Sequence, residues 1–398
     1  MAARITSLLL NIGHAIDHLM LLVFATAVAA IAREFGIGRW EDLMPYTTGA
    51  FVLFGIGSLP SGRLGDLWGR RAMMLVFFFG IGAAALLVAA RQNVWHLAAA
   101  LTVMGAFASI YHPVGIPMLL QHAEKPGITI GVNGMAGNLG IAAAAISTGF
   151  LVQYADWRTA FIVPGAVSIA CGVLFMRYAP VEKHAPAKRA VRQLELPSAT
   201  RNRVFLVMTM LAITSSVLFN FTTNGNGELL KARLPVLAEQ PALLGMLLAA
   251  VYAIGSLSQL AVGRMIDRFP IRNVMLSIIA FQGPVFLLAA FSQGWALYAV
   301  MILFMALVFG AIPFTDAIVA RFVDDSMRSR VSGMRMAVAF GASSLAVMVL
   351  GPAVKAAGFA TSLLVLGAVA ICSLLITFQL PDERSIRDAS AAHSPQTA

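Results

Sequence analysis

The sequence is poor in charged residues, which account for 12% of its 398 residues, whereas hydrophobic residues account for 59%. A soluble domain carries about 25% charged residues, so this chain lacks about half of the charge that usually covers a water-exposed surface. Apolar stretches long enough to cross a bilayer as helices, which takes about 20 residues, recur along the whole chain. The composition excludes an ordinary soluble domain and predicts an all-α, multi-pass membrane protein.

Cysteine is also scarce, and both examples, Cys171 and Cys372, fall in the middle of apolar stretches. We interpret them as small packing residues, and two isolated cysteines exclude a disulfide framework or a cysteine-based metal centre. The sequence also lacks a phosphate-binding loop, a nucleophile motif and a zinc-protease signature. These absences argue against an enzyme and imply no cofactor. Any uphill transport would therefore draw on an ion gradient.

Twelve membrane-spanning helices are predicted, six on each side of a polar segment. With both termini cytoplasmic, 20 of the 28 lysines and arginines fall in cytoplasmic segments, 7 in external segments and Arg335 within a span. This asymmetry follows the positive-inside rule, so the net charge of +10 reports topology rather than nucleic-acid binding. The predicted spans are 5–31, 45–64, 72–90, 95–121, 128–153, 157–178, 204–225, 242–263, 273–291, 295–320, 329–353 and 359–380.

The two halves of the chain resemble each other around a central linker. Residues 179–203 are polar and basic, which predicts a cytoplasmic linker between a first six-helix bundle, 1–178, and a second, 204–382, followed by a cytoplasmic tail, 383–398. GRLGDLWGRR after the second span is echoed by GRMIDRFPIR after the eighth, at a constant offset of 201 residues. Two six-helix pseudo-repeats are typical of secondary transporters, whose substrate site lies between the repeats near the midplane.

The turn after the second span resembles the signature loop of the major facilitator superfamily, G-x-x-x-D-x-x-G-R-R. This resemblance extends over nearly the whole chain and implies the twelve-helix major facilitator fold with alternating access. It also implies that Asp66 caps or pairs with a neighbouring helix end in one conformation, and that Arg70 and Arg71 pair with carboxylates. The alternative is that these residues only satisfy the positive-inside rule. The motif residues, including two from the degenerate second copy, are Gly62, Asp66, Gly69, Arg70, Arg71, Asp267 and Arg272.

The fourth and fifth spans indicate which branch of the superfamily the chain resembles. His112 and Pro113 lie deep in the fourth span, and GITIGVNGMAGNLG, with glycine at every third position, opens the fifth. This combination is similar to the fosmidomycin-resistance branch of the superfamily, which implies a proton-coupled exporter of small molecules. The chain differs from many drug–proton antiporters because no lysine or arginine lies between Arg91 and Lys125.

Four polar residues interrupt the first span within the sequence NIGHAIDH. Asn11, His14, Asp17 and His18 fall on one face of a helix that turns by about 100° per residue. Ionisable groups inside a bilayer are costly unless they face a cavity or a partner. We predict that Asp17 alternates between protonated and charged states, assisted by His14 and His18, because free imidazole titrates near pH ~6.5. The alternative is a His–Asp pair that only fixes helix packing.

The same residues are also arranged as a metal-binding face. His14 and His18 lie one helical turn apart with Asp17 between them, and His112 joins the set if spans one and four meet in a cavity. Imidazole and carboxylate suit divalent iron, zinc, nickel or manganese. This alternative predicts a divalent metal or metal-chelate porter.

Polar residues in other spans are further candidates for a substrate site. Arg335 could neutralise Asp316, hold an anionic substrate or lie near the cytoplasmic mouth. The segment 224–228 is interpreted as an external loop. The full predicted substrate site is Asn11, His14, Asp17, His18, Tyr111, His112, Asn133, Asn138, Asn220, Asp316 and Arg335.

These features together predict a secondary active transporter in a bacterial-type inner membrane. We expect proton-coupled export of a small organic solute, drug-like or anionic, by alternating access. The expected partners are the solute, protons and the lipid bilayer, and the expected functional unit is a monomer. A metal porter is the alternative, whereas no motif supports a non-transporting receptor or a membrane enzyme.

Overall fold

The computed structural model describes residues 2–121, 123–182, 198–237, 239–322 and 325–380, and these ranges contain helices but no strand. Short segments of other helical form occur at Met44–Thr47 and Pro235–Leu237, which are 3₁₀ turns, and at Tyr111–Gly115, which is a π turn. The α-helices are α1 (Ala2–Glu34), α2 (Trp40–Leu43), α3 (Thr48–Ile56), α4 (Ser58–Trp68), α5 (Arg70–Ala89), α6 (Val94–Ala108), α7 (Ile116–Leu120), α8 (Pro126–Tyr154), α9 (Thr159–Tyr178), α10 (Ser198–Arg233), α11 (Pro241–Arg268), α12 (Ile271–Phe291), α13 (Gly294–Ala311), α14 (Pro313–Phe322) and α15 (Asp325–Phe378).

Ten helical segments of the described chain are long and apolar enough to cross a membrane. Two local features account for the difference from the twelve predicted spans. The predicted second span is divided at Gly57 into α3 and α4, where the backbone lies against Ser109 with no room for a side chain. The predicted eleventh and twelfth spans follow each other without a loop in α15, which consists of two helices that meet at the non-helical residue Gly358, where φ is 75°.

Most of the predicted linker and tail, residues 183–197 and 381–398, lies outside the described ranges. The domain boundaries placed there therefore stay predictions.

The outer surface of the bundle is apolar. Large hydrophobic side chains such as Val167, Leu257 and Leu287 are about half exposed, and exposed apolar surface of this extent is typical of a protein that contacts a membrane. Cys171 is buried, as a packing residue should be, whereas Cys372 is exposed on this surface. The packing role predicted for Cys372 is therefore wrong.

The two halves of the chain meet along α8, which packs against α1 on one side and α11 on the other. Glycines permit both contacts. A Cβ atom on Gly140 would overlap the carbonyl oxygen of Ala15 in α1, and one on Gly263 would lie 2.7 Å from the carbonyl oxygen of Gly127. Small residues that let backbones approach are a usual basis of helix association in membranes. The glycines of the fifth span are thus packing residues.

Polar contacts join the halves at both ends of the bundle. At one end, Asp267 accepts hydrogen bonds from the backbone N–H groups of Gly127, at 3.2 Å, and Ile128, at 3.1 Å, where α8 begins. At the other end, Lys355 pairs with Asp42 at 2.6 Å. The candidate site lies between these two ends.

Candidate functional site

The polar residues of α1 lie together against the π turn and α8. His14 and Asp17 are buried, and Asp17 is 0% exposed, whereas Asn11 and His18 are partly buried. The single face predicted from the helical period is therefore present in the structure. The rest of the site is built around it.

His14 is held in one orientation by its neighbours. Its Nδ1 lies 2.8 Å from the backbone carbonyl oxygen of Asn133, to which it donates, and its ring stacks on Tyr111 with centroids 4.7 Å apart. Gly137 makes room for the ring, because a Cβ there would lie 2.7 Å from Nε2. With its proton on Nδ1, His14 presents the Nε2 lone pair and accepts a hydrogen bond from Nε2 of His18 at 3.1 Å.

A hydrogen-bond network ties α1, the π turn and α8 together. The Tyr111 hydroxyl donates to the carbonyl oxygen of Leu10 and accepts from Nδ2 of Asn133, both at 2.8 Å. The same amide group donates to Oδ1 of Asn11, also at 2.8 Å. Of these predicted substrate residues, Asn133 lines the central cavity, whereas Asn11 faces a separate cleft. The network fixes the position of the wall that carries His14.

His112 faces Asp17 from the π turn. Proline has no N–H and disrupts the regular α-helical ladder, and Pro113 lies in this turn, a form often found at functional sites. Nε2 of His112 is 3.6 Å from Oδ2 of Asp17. Among the described residues, neither carboxylate oxygen of Asp17 and neither ring nitrogen of His112 has a hydrogen-bond partner. Buried polar groups without partners are rare and call for an explanation.

The histidines open onto a cavity between the two halves, with a volume of about 100 Å³. Its walls come from α1, the π turn and α8 in the first half, and from α10, α11, α14 and α15 in the second. The polar residues that line it are His14, His18, His112, Asn133, Asn138, Ser215, Ser216, Gln259, Thr315 and Arg335.

Arg335 brings a positive charge into this cavity. Its side chain is buried and donates from Nη1 to the hydroxyl oxygen of Thr315. This position is in the cavity wall, and its distance from the cytoplasmic mouth stays a prediction. Asp316 lies on α14, but its side chain is outside the described part of the structure. Neutralisation of Arg335 by Asp316 therefore stays a prediction.

The predicted amides occupy different places. Asn138 lines the main cavity, but Asn220 lines a smaller adjoining space and donates to the carbonyl oxygen of Ser216 at 3.0 Å and the hydroxyl of Ser343 at 3.1 Å. Gln259 was not predicted, although it lines the cavity and its amide has no hydrogen-bond partner among the described residues. The signal that identified His112, a polar side chain inside an apolar span, applies equally to Gln259.

The segment 224–228, predicted to be an external loop, continues α10 instead. Asn226 is 1% exposed, and Nδ2 of Asn224 donates to the carbonyl oxygen of Asn220 at 2.9 Å, one helical turn back. The prediction was wrong because Asn and Gly are typical of turns, whereas here the helix supplies partners within itself.

The loop motif lies at the end of the bundle, away from the cavity. Gly69 separates α4 from α5 with φ 102°, a conformation that favours glycine. Arg70 is fully buried. Its Nη2 lies 3.9 Å from Oδ1 of Asp66, and its Nη1 donates to the carbonyl oxygen of Pro117 at 3.2 Å. The guanidinium of Arg71 donates to the carbonyl oxygens of Ala179, at 3.0 Å, and Met176, at 2.8 Å.

The second copy of the motif bridges the halves. Asp267 caps the start of α8, and Arg272 donates to the carbonyl oxygen of Phe378 at 3.3 Å. The capping role that the family resemblance implies for Asp66 is thus carried out in this structure by its repeat equivalent. Gly62, which opens the first copy, is buried in α4.

Comparison with known proteins agrees with this architecture. The family model described as Major Facilitator Superfamily matches residues 10–240 and 229–397. The puromycin resistance protein pur8 of Streptomyces alboniger is 29% identical over 53% of this chain and 40% of its own length. The multidrug efflux pump Tap of Mycobacterium tuberculosis is 27% identical over 37% of this chain and 36% of its own length. The chain thus spans well under two thirds of these relatives.

Two solved structures share the fold over nearly their whole length. The human organic anion transporter MFSD10 (TETRAN) has a TM-score of 0.74 and 14% identity, and the match covers 94% of this chain and 99% of that one. The proton:xylose symporter XylE, bound to 6-bromo-6-deoxy-D-glucose, has a TM-score of 0.74 and 13% identity, over 98% and 99%. At these identities the likeness shows the fold alone.

Proposed function

The chain belongs to the Major Facilitator Superfamily, and we propose that it exports a small organic solute, drug-like or anionic, in exchange for protons. It is a multi-pass membrane transporter and not an enzyme. The observation that carries the proposal is the cavity between the halves, which is lined by three imidazoles and the buried guanidinium of Arg335 among apolar side chains, with the buried carboxylate of Asp17 behind them facing His112.

The cavity lining suits an amphipathic solute with an acidic group. Phe219, Met336 and Phe340 supply apolar surface, and Arg335 supplies a donor for an anion. The names of the relatives, a resistance protein and an efflux pump, support export of an organic compound. The His112–Pro113 pair and the glycine-rich fifth span support placement near the fosmidomycin-resistance branch.

Proton coupling is assigned to Asp17. Its carboxylate is enclosed and faces His112, and the next residue along the helix, His18, borders the cavity. Opening of the cavity to one side would admit water and let the carboxyl group exchange its proton. His14 and His18 are positioned to pass that proton between Asp17 and the cavity.

Alternating access requires the contacts between the halves to open in turn. The Asp267 cap on α8 closes one end, and the Lys355–Asp42 pair lies at the other. Release of the first would open the end that carries the loop motif, which the distribution of basic residues makes cytoplasmic. We further propose a monomer in a bacterial plasma membrane with both termini cytoplasmic.

Everted membrane vesicles that contain the full-length protein would test this function. Puromycin, a carboxylate-bearing drug and a sugar would be offered under an imposed pH gradient. We expect gradient-dependent accumulation of an amphipathic compound, loss of that accumulation with a protonophore, and little transport of the sugar. Accumulation that persists with the protonophore would contradict proton coupling, and preference for the sugar would contradict the proposed solute class.

A matched pair of variants controls for effects on folding. Arg335→Gln removes the buried guanidinium, whereas Arg158→Gln removes one that lies at the surface and pairs with Glu34. We expect the first variant to lose transport of the carboxylate-bearing drug selectively and the second to retain it. Equal transport by the two variants would remove Arg335 from the site.

A further inference from the structure

The side chains around His14 carry more nitrogen and oxygen atoms without a hydrogen-bond partner than a path for proton transfer requires. One nitrogen from each of His14, His18 and His112 lies within 4.8 Å of the others. Beside them, both oxygens of Asp17 and both nitrogens of His112 have no hydrogen-bond partner among the described residues. Buried polar atoms without hydrogen-bond partners are costly, but they become stable when they bind the same cation.

The orientation of His14 is the one that metal ligands adopt. A histidine that binds a metal through one nitrogen almost always donates its other N–H to a carbonyl or carboxylate, which fixes the tautomer. Nδ1 of His14 donates to the carbonyl oxygen of Asn133, so Nε2 is left with its lone pair facing His18. Stacking on Tyr111 and the space above Gly137 keep the ring in that plane.

The spacing of the donors also fits a small ion. Tetrahedral zinc with ligands at about 2.0–2.1 Å places its donor atoms about 3.3 Å from one another. Nε2 of His14 and Nε2 of His18 are 3.1 Å apart, close to this value, and a ring nitrogen of His112 lies within 4.8 Å of the ligand atoms of both. Closure of the three imidazoles around one ion therefore needs an approach of His112, whose ring nitrogens have no hydrogen-bond partner among the described residues.

We infer that His14, His18 and His112 form a binding site for a divalent late first-row transition-metal ion, such as zinc, cobalt or nickel, in the wall of the cavity, with the Asp17 carboxylate beside His112. Three imidazoles with a water molecule in the fourth position are suited to such ions, whereas magnesium and calcium prefer oxygen ligands. The inference goes beyond the proposed export of an organic solute and needs no transport to be tested.

Equilibrium binding to the purified full-length protein in detergent tests the site directly. Zn²⁺ and Mg²⁺ would be titrated by calorimetry, and Co²⁺ by its visible absorption, whose intensity distinguishes four from six ligands. We expect saturable binding of one Zn²⁺, no matching Mg²⁺ signal and a four-coordinate Co²⁺ spectrum. Absence of saturable Zn²⁺ binding, or a six-coordinate spectrum, would overturn the inference. Either result would leave organic-solute export untouched.

Replacement of a metal ligand should weaken Zn²⁺ binding, whereas replacement of a surface histidine should leave it unchanged. His112→Ala is expected to lower Zn²⁺ affinity by about tenfold or more, since even loss of a supporting group around a metal has effects of about 10–100-fold. His96→Ala is the control, because His96 is exposed and lies at the start of α6. Equal affinities in the two variants would contradict the assignment.

A glycine substitution tests the geometry without removal of any ligand. Gly137→Ala would push the His14 ring, whereas Gly341→Ala, a helical glycine with no atom within 4 Å of the added Cβ, would disturb nothing. We expect a loss of Zn²⁺ affinity, of about tenfold, in the first variant only. Unchanged affinity in Gly137→Ala would show that the His14 position does not define the site, even if His112→Ala fails to fold.

Discussion

The two walls of the cavity differ in chemistry although they come from related halves of the chain. The first-half wall, formed by α1, the π turn and α8, carries the imidazoles and the enclosed carboxylate. The second-half wall, formed by α10, α11, α14 and α15, carries hydroxyls, amides and Arg335. At the repeat offset of 201 residues, the counterparts of His14, Asp17 and His18 are Ser215, Leu218 and Phe219.

The internal repeat is preserved at the helix ends rather than in the walls of the cavity. The turns that contain Asp66 and Asp267 keep their spacing and charge. At an offset of 200 residues, Pro313 matches Pro113, but Ile312 stands where the first half has His112. The halves thus share the residues that shape helix ends and differ in those that face the solute. The groups to which we assign proton and metal binding therefore lie in one half, and the group to which we assign anion binding lies in the other.

The largest expected effect comes from the packing that holds the first-half wall. Gly140→Ala should destabilise the protein by about 1–3 kcal/mol, because the added Cβ would overlap the carbonyl oxygen of Ala15 and push α1 away from α8. Thermal unfolding in detergent measures the change. Gly341→Ala, on α15 of the second half, should be neutral or stabilising by up to about 1 kcal/mol. Equal stability of the two variants would show that the α1–α8 contact is not tight.

A smaller effect is expected where the halves are joined at the loop-motif end. Asp267→Asn weakens the acceptor for the first N–H groups of α8, and loss of a helix cap costs about 0.5–2 kcal/mol. We expect the population open at that end to rise about two- to thirtyfold, measured as faster labelling of a cysteine placed in the cavity of a cysteine-free variant.

Asp156→Asn is the matched control for this change. Asp156 accepts a hydrogen bond from the backbone N–H of Thr159, at 2.8 Å, and so caps α9 within the first half. Its loss should cost similar stability without any change in labelling. Faster labelling in both variants would mean that general loosening, rather than separation of the halves, exposes the cavity.

The smallest effect is expected at the opposite end. Lys355 and Asp42 are each nearly half exposed, and exposed ion pairs contribute about 0–1 kcal/mol and weaken with salt. Lys355→Met should therefore change cysteine labelling by less than about fivefold, and the difference should shrink at high salt. A larger, salt-independent change would show that this pair is a principal lock between the halves.

Much of the site followed from the sequence because helical geometry is regular. The period of α1 predicted that His14, Asp17 and His18 share a face. The meeting of His112 with Asp17 depends on how two distant helices pack. Only the family resemblance suggested that contact.

Other features depended on tertiary packing that a single sequence does not reveal. Gly57 divides the second span because the backbone lies against Ser109. Asn226 resembles a turn residue but lies inside a helix. Gln259 has the same sequence signal as the predicted residues, so its role could have been predicted.

The central claim is that the first-half wall couples transport to protons through Asp17. The most direct test is transport, in proteoliposomes, of the amphipathic compound that the wild type accumulates in vesicles, with gradient-driven accumulation compared with exchange at equal pH in the wild type and in Asp17→Asn. We predict that Asp17→Asn loses accumulation by about tenfold or more, in line with coupling free energies of about 1–3 kcal/mol, while exchange persists. Accumulation equal to that of the wild type, with the same pH dependence, would contradict the account.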